Sequence, residues 1–147
     1  KLDPKNLFEA RAFLEDLFEV AVARAAPEDI RAMYRALDET RAAAGDPHGF
    51  FDADMRFHLV IARACRIKLL IGFYESIITV LRGLVRAAHV QDQHEEMLRH
   101  SLDVHTGIAD AMRDQDSRAL EKLLVLHRRT GKLPRSHGIA RPHPLRP

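Results

Sequence analysis

The sequence predicts an all-α fold, and three observations carry that expectation. Alanine, leucine, arginine and glutamate dominate a composition that lacks tryptophan, which favours helix. Apolar residues recur at three- and four-residue steps along most of the 147 residues. Prolines and glycines punctuate that periodicity at intervals suited to helices of ordinary length.

The periodicity divides the body into six helical segments. The first covers residues 6–26, with Leu7, Leu14, Phe18, Ala21 and Ala25 on one seam and Pro4 at a favourable first-turn position. Pro27-Glu28-Asp29 opens the second, which carries Ile30, Met33, Leu37 and Ala44; a first-turn proline and acids beside a helix N-terminus both suit that role. Gly45-Asp46-Pro47-His48-Gly49 ends it as a loop. The third segment covers residues 50–65, and the fourth covers 68–89 through Leu70, Phe73, Tyr74, Ile77, Leu81, Leu84 and Val85. Between those two, Arg66-Ile67-Lys68 contains no helix breaker. The fifth covers 92–113 with Leu98, Leu102, Ala109 and Met112 on its seam. The sixth covers 117–130 through Leu120, Leu123 and Leu124, capped by Asp116 or Ser117. The division expected is a helical domain at 1–131 and a proline-rich, extended tail at 132–147.

Bulk properties exclude several classes. The length suits one domain with a proper core. No apolar run approaches the roughly 20 residues a membrane span needs, and no secretory signal is visible. The single cysteine, Cys65, cannot form an internal disulfide and suits a reducing cytoplasm. The chain starts at Lys1 rather than Met, which suggests a fragment with a further module upstream. The net charge of +2 hides an asymmetry, because six basic residues and no acidic one follow from Arg128 onward. The remainder holds 17 basic and 21 acidic residues, a net of −4, unlike a body that grips DNA.

Potential metal ligands interrupt three apolar seams. Asp54 and His58 stand one turn apart on a face continued by Phe51, Ile61 and Cys65. His105 falls between Leu102 and Ala109, and His127 follows Leu120, Leu123 and Leu124 at seam spacing. Each buried carboxylate or imidazole needs its own partner. A shared metal ion would serve all four; separately hydrogen-bonded core histidines are the alternative. Arg11 occupies the slot between Leu7 and Leu14 and also needs a carboxylate. Glu15 or Asp54 would provide one internally, and a bound ligand would provide one from outside. Arg82 and Arg86, one turn apart, either line a ligand pocket with Arg11 or form a solvated face, and Tyr74 is a core residue whose hydroxyl needs a partner. Cys65 reads as a small core residue.

These residues carry a resemblance. Asp54-x-x-Phe57-His58, then His105-x-x-Ile108-x-x-Ala111 with Asp116, and finally His127 resemble the effector-binding (FCD) domain of GntR-type regulators of the FadR subfamily. Glu9-Ala10-Arg11-Ala12-Phe13-Leu14-Glu15 and the small-residue run Val20 to Ala26 are similar to that domain's first helix. The resemblance covers about residues 5–130. It implies an antiparallel bundle around a central divalent transition metal, held by Asp54, His58, His105 and His127. Zinc leads, with nickel, manganese or iron also suited to the donors. It further implies a small carboxylate metabolite as effector, with Arg11 as anion clamp; Arg82, Arg86 and Tyr74 are candidate further contacts by their own positions. An upstream winged helix-turn-helix would bind operator DNA as a homodimer. Two departures stand out: Arg66-Ile67 replaces a frequent Gly-Asn, and Val104 replaces a frequent acid before the third ligand.

Three functions compete on these residues: a metal-containing sensor domain of a transcription factor, a helical-bundle metalloenzyme, and a structural dimerisation module without metal. The enzyme reading lacks a glutamate adjacent to either histidine motif, and it lacks paired Glu-x-x-His sets. The sensor is the expected function.

Overall fold

A computed structural model describes residues 4–87 and 94–130, with side chains at 6–84 and 99–129. The chain forms helices α1 (Pro4–Glu15), α2 (Glu19–Val22), α3 (Pro27–Ala42), α4 (Pro47–Ala64), α5 (Lys68–Ala87), α6 (His94–Arg113) and α7 (Ser117–Thr130). A 3-10 turn at Asp16–Phe18 joins α1 to α2. No strand occurs among the described residues. The tail at 132–147 lies outside them.

The first predicted helix is thus divided. Glu15, Phe18 and Glu19 all keep right-handed helical φ and ψ, so only the hydrogen-bond pattern tightens there. The chain leaves helix after Val22 rather than Ala26.

Cross-helix pairs fix the directions. Arg56–Glu39 at 2.9 Å and Arg66–Asp29 at 2.6 Å run α4 antiparallel to α3. Arg63–Glu75 at 2.8 Å and Arg82–Asp52 at 3.1 Å do the same for α5 against α4. Tyr34–Asp110 and Arg41–Thr106 set α6 antiparallel to α3. Helix α1 packs on α5, and α7 packs on α6. The core between these elements holds Phe18, Met33, Leu37, Met55, Phe57, Ile61, Tyr74, Ile78, Ile108, Met112 and Leu120.

Two local details depart from the sequence expectation, and a third supplies the cause of an expected break. Helix α4 begins at Pro47, not at residue 50, because Asp46 caps it: its Oδ1 accepts from the His48 N–H at 3.0 Å. Helix α5 buries Leu70, Tyr74, Ile78 and Leu81. Phe73, expected on the inner seam, is 56% exposed, since this helix is apolar on two faces and only packing selects one. Finally, α4 does end before α5 although no glycine stands there. Arg66 takes the left-handed conformation, φ 58°, its N–H donates to the Arg63 carbonyl, and its guanidinium pairs with Asp29. At the end of α6, Gln115 with φ 55° does the same, and Asp116 then caps α7 through the Ala119 N–H at 2.9 Å.

The left-handed position at Arg66 costs any residue with a Cβ. Arg66→Gly and Arg66→Ala both lose the pairing with Asp29, so their difference isolates the backbone. The glycine variant is expected to be more stable than the alanine variant by about 1 kcal/mol in urea denaturation; equal midpoints would remove that account of the α4–α5 break.

Candidate metal centre

The bundle gathers side chains from five helices at one point. Helix α1 contributes Arg11 and Glu15, α4 contributes Asp54 and His58, α5 contributes Tyr74, α6 contributes Ser101 and His105, and α7 contributes His127. Arg11, Glu15, Asp54, His58, Tyr74, His105 and His127 are all buried. His58, His105 and His127 offer ring nitrogens within 4.8 Å of one another, so these three buried histidines could hold a metal ion. Phe57 stacks on the His105 ring at 4.8 Å between centroids and meets His58 edge-on at 5.6 Å, which leaves the rings little freedom.

Partners assign the tautomers. His58 Nδ1 lies 2.9 Å from the Asp54 carbonyl oxygen, which can only accept, so that nitrogen carries the hydrogen. His127 Nδ1 lies 3.2 Å from Glu15 Oε2. Burial alone would raise the Glu15 carboxyl, but the Arg11 guanidinium, with His58 and His127, holds it well below the usual range. It is therefore an ionised acceptor that faces this nitrogen. The Nε2 atoms of His58 and His127 then face each other across 3.0 Å, and that of His58 keeps its lone pair. His105 Nδ1 sits 3.0 Å from Asp54 Oδ1, and its Nε2 is buried with no hydrogen-bond partner.

Three ring nitrogens that converge in this way could hold a cation. A proton on His58 is disfavoured, because burial above all, with His105 and Arg11 adding to it, pushes that imidazole down to about 3. Burial also lowers His105, against the attraction of Asp54. A metal ion, which seeks neutral imidazole, fits this donor set.

Four residues named from sequence, Asp54, His58, His105 and His127, meet here. Asp54 lies at the edge of the group: its Oδ1 binds His105 and accepts from the Ser101 hydroxyl at 3.1 Å. Burial alone would raise its carboxyl, but His105 and His58 hold it below the usual range. Arg11 and Tyr74 meet the group through a residue counted before only as an internal partner. Glu15 Oε1 receives Arg11 Nε at 2.7 Å and the Tyr74 hydroxyl at 2.7 Å. Burial and the neighbouring Glu15 charge push the Tyr74 phenol well up, which keeps it a donor. In sequence Glu15 resembles an ordinary i, i+4 partner of Arg11; its place between Arg11 and Phe18 on the inner seam was the available signal. Arg82 instead pairs with Asp52, Nε to Oδ1 3.1 Å, on the flank of α4. The Arg86 side chain lies outside the described residues. Cys65 is buried core, its thiol 3.6 Å from the Leu17 carbonyl and pushed up by burial to about 11.

Comparisons with known proteins agree with this architecture. The FCD domain family matches residues 6–130. The galactonate operon transcriptional repressor of Escherichia coli (strain K12) is 29% identical over 125 residues, covering 82% of this chain and 53% of the repressor. The solved structure of E. coli McbR/YncC superposes with a TM-score of 0.73 at 18% identity, covering 86% of this chain and 60% of that one, which shows the shared fold. The chain thus spans about half the length of the curated relative it matches. No helix among the described residues is long and apolar enough to cross a membrane.

The buried neutral state of His58 sets a pH dependence for the metal-free protein. Its folded value lies below its ordinary 6.5, so the unfolded chain binds more protons once the pH drops under that value. Stability is fully present above it and is lost as the pH falls toward the folded value. In chelator, the unfolding free energy should fall by about 1.4 kcal/mol per pH unit between roughly pH 6 and 4 from His58 alone. A flat urea midpoint over that window would contradict the neutral assignment.

Proposed function

The chain belongs to the FCD domain family, and on that premise we propose that it is the effector-sensing part of a bacterial GntR/FadR-type transcription factor. It is a regulatory domain, not an enzyme. The observation that carries the finer reading is the facing pair of buried Nε2 atoms on His58 and His127, with the unpartnered His105 Nε2 beside them. We assign the metal to these three histidines, with Asp54 as the carboxylate member of the centre. Zinc is the first choice, and nickel, manganese and iron share the donor preference.

Charge then argues for an anionic effector. One guanidinium, Arg11, and two carboxylates, Glu15 and Asp54, leave the buried centre a formal −1 with neutral histidines. A divalent cation turns this to +1, which a small monocarboxylate would neutralise. The bound metal would supply Lewis-acid positions for carboxylate oxygens. Arg11 and Tyr74, on α1 and α5, face the same point and would share their donors between Glu15 and the ligand. Such a ligand would bias helix positions, and hence operator binding by an N-terminal winged helix-turn-helix. Because the relative is a galactonate operon repressor, galactonate is the first carboxylate to try.

The homodimer expected of such a regulator has a candidate face on α5. Leu69, Phe73 and Val80 are 69%, 56% and 38% exposed, and Gly72 and Gly83 have open space where a Cβ would stand. The charged residues Lys68, Glu75 and Arg82 fall on another side of this helix, so the face can meet its own copy without like-charge cost.

Two measurements follow. Untagged protein should carry one zinc-class ion per chain and His58→Ala/His105→Ala none, with galactonate or a related small carboxylate raising the melting temperature only without chelator. Stoichiometric metal in the double variant would sink the site, no metal in either would favour a structural module, and turnover of the carboxylate would favour an enzyme. In sedimentation, Phe73→Glu should be monomeric where the parent chain dimerises; a persistent dimer would move the interface elsewhere.

A further inference from the structure

We infer that Glu15 is a positioning residue of the centre, holding His127 with its hydrogen on Nδ1 and so turning the Nε2 lone pair of His127 toward His58. The inference rests on the reading of the histidines as metal ligands but concerns a residue outside the proposed ligand set.

The two oxygens of Glu15 have separate tasks. Oε1 is fixed by donors from two helices, Arg11 Nε on α1 and the Tyr74 hydroxyl on α5, each at 2.7 Å. That anchoring leaves Oε2 pointing at His127 Nδ1, 3.2 Å away on α7. His58 Nε2 stands 3.6 Å from Oε1, beyond hydrogen-bond distance, so this second imidazole takes no donor role toward Glu15. The side chain is 2% exposed. A carboxylate behind an imidazole fixes its tautomer and raises its basicity as a ligand. Arg11 is thereby explained as well: it neutralises Glu15 and keeps it an acceptor.

A purely structural ion pair with Arg11 would have no such consequence, and glutamine separates the two. In Glu15→Gln the amide oxygen goes to the two donors, Arg11 and Tyr74, and the amide NH2 faces His127. That NH2 needs an acceptor at Nδ1, which moves the imidazole hydrogen to Nε2 and blocks the nitrogen that faces His58.

The test is long-range proton–nitrogen NMR of 15N-histidine in the metal-free protein, paired with zinc titration against a chromogenic chelator. The parent chain should show His127 as the Nδ1–H tautomer, and Glu15→Gln should show Nε2–H with about 10–100-fold weaker zinc binding. An Nε2–H tautomer in the parent chain, or zinc affinity unchanged in the variant, overturns the assignment. The parent spectrum decides by itself if the variant fails to fold. Absence of zinc binding by the parent chain would instead remove the metal reading, while its tautomer still reports on Glu15.

Discussion

Two carboxylates and one guanidinium buried among three imidazoles form the constraint around which this bundle is arranged. Each of these groups loses water on folding and must recover its hydrogen bonds from protein. No single helix can supply them. Glu15 needs Arg11 from its own helix, Tyr74 from α5 and His127 from α7, while Asp54 needs His105 and Ser101 from α6. Satisfying the centre therefore dictates which helices touch. Helix α3 contributes nothing to it directly; it backs α4 and α6, tied by Arg56–Glu39 and Tyr34–Asp110.

The same arrangement suits a sensor. The centre is dry and its polar groups are nearly all engaged, so a ligand entering it must exchange partners with side chains on several helices. Such an exchange alters the balance between helices rather than a single loop. Catalysis would ask instead for a group poised to move protons, and the carboxylates here are committed to Arg11, Tyr74, Ser101 and the imidazoles.

Much of the fold was legible from residue spacing, because helix faces repeat and Pro27 and Asp116 mark their starts. The four seam interruptions, Asp54, His58, His105 and His127, were legible for the same reason: a polar residue on an apolar stripe stands out. Glu15 did not stand out, since an acid one turn after an arginine is what a solvated helix face also offers. Only the packing of α5 and α7 against α1 reveals its other partners. The buried side of α5 was ambiguous because both of its faces are apolar, and Phe73 went to the wrong one. The helix break near Arg66 was placed by spacing, but its cause was not legible, because the conformation usually assigned to glycine is held there by an arginine paired with Asp29.

Helix α7 packs chiefly on α6, and it carries one of the three clustered histidines. Its link to α1, through His127–Glu15 and Arg128–Asp16, joins segments separated by nearly the whole length of the domain. Closing so long a loop is a late and slow event in folding. An ion held at this point would act as a removable staple between the two ends of the chain. Undocking of α7 would then open the way for the ion, and the lifetime of the occupied state would follow local unfolding of one helix rather than the stability of the whole.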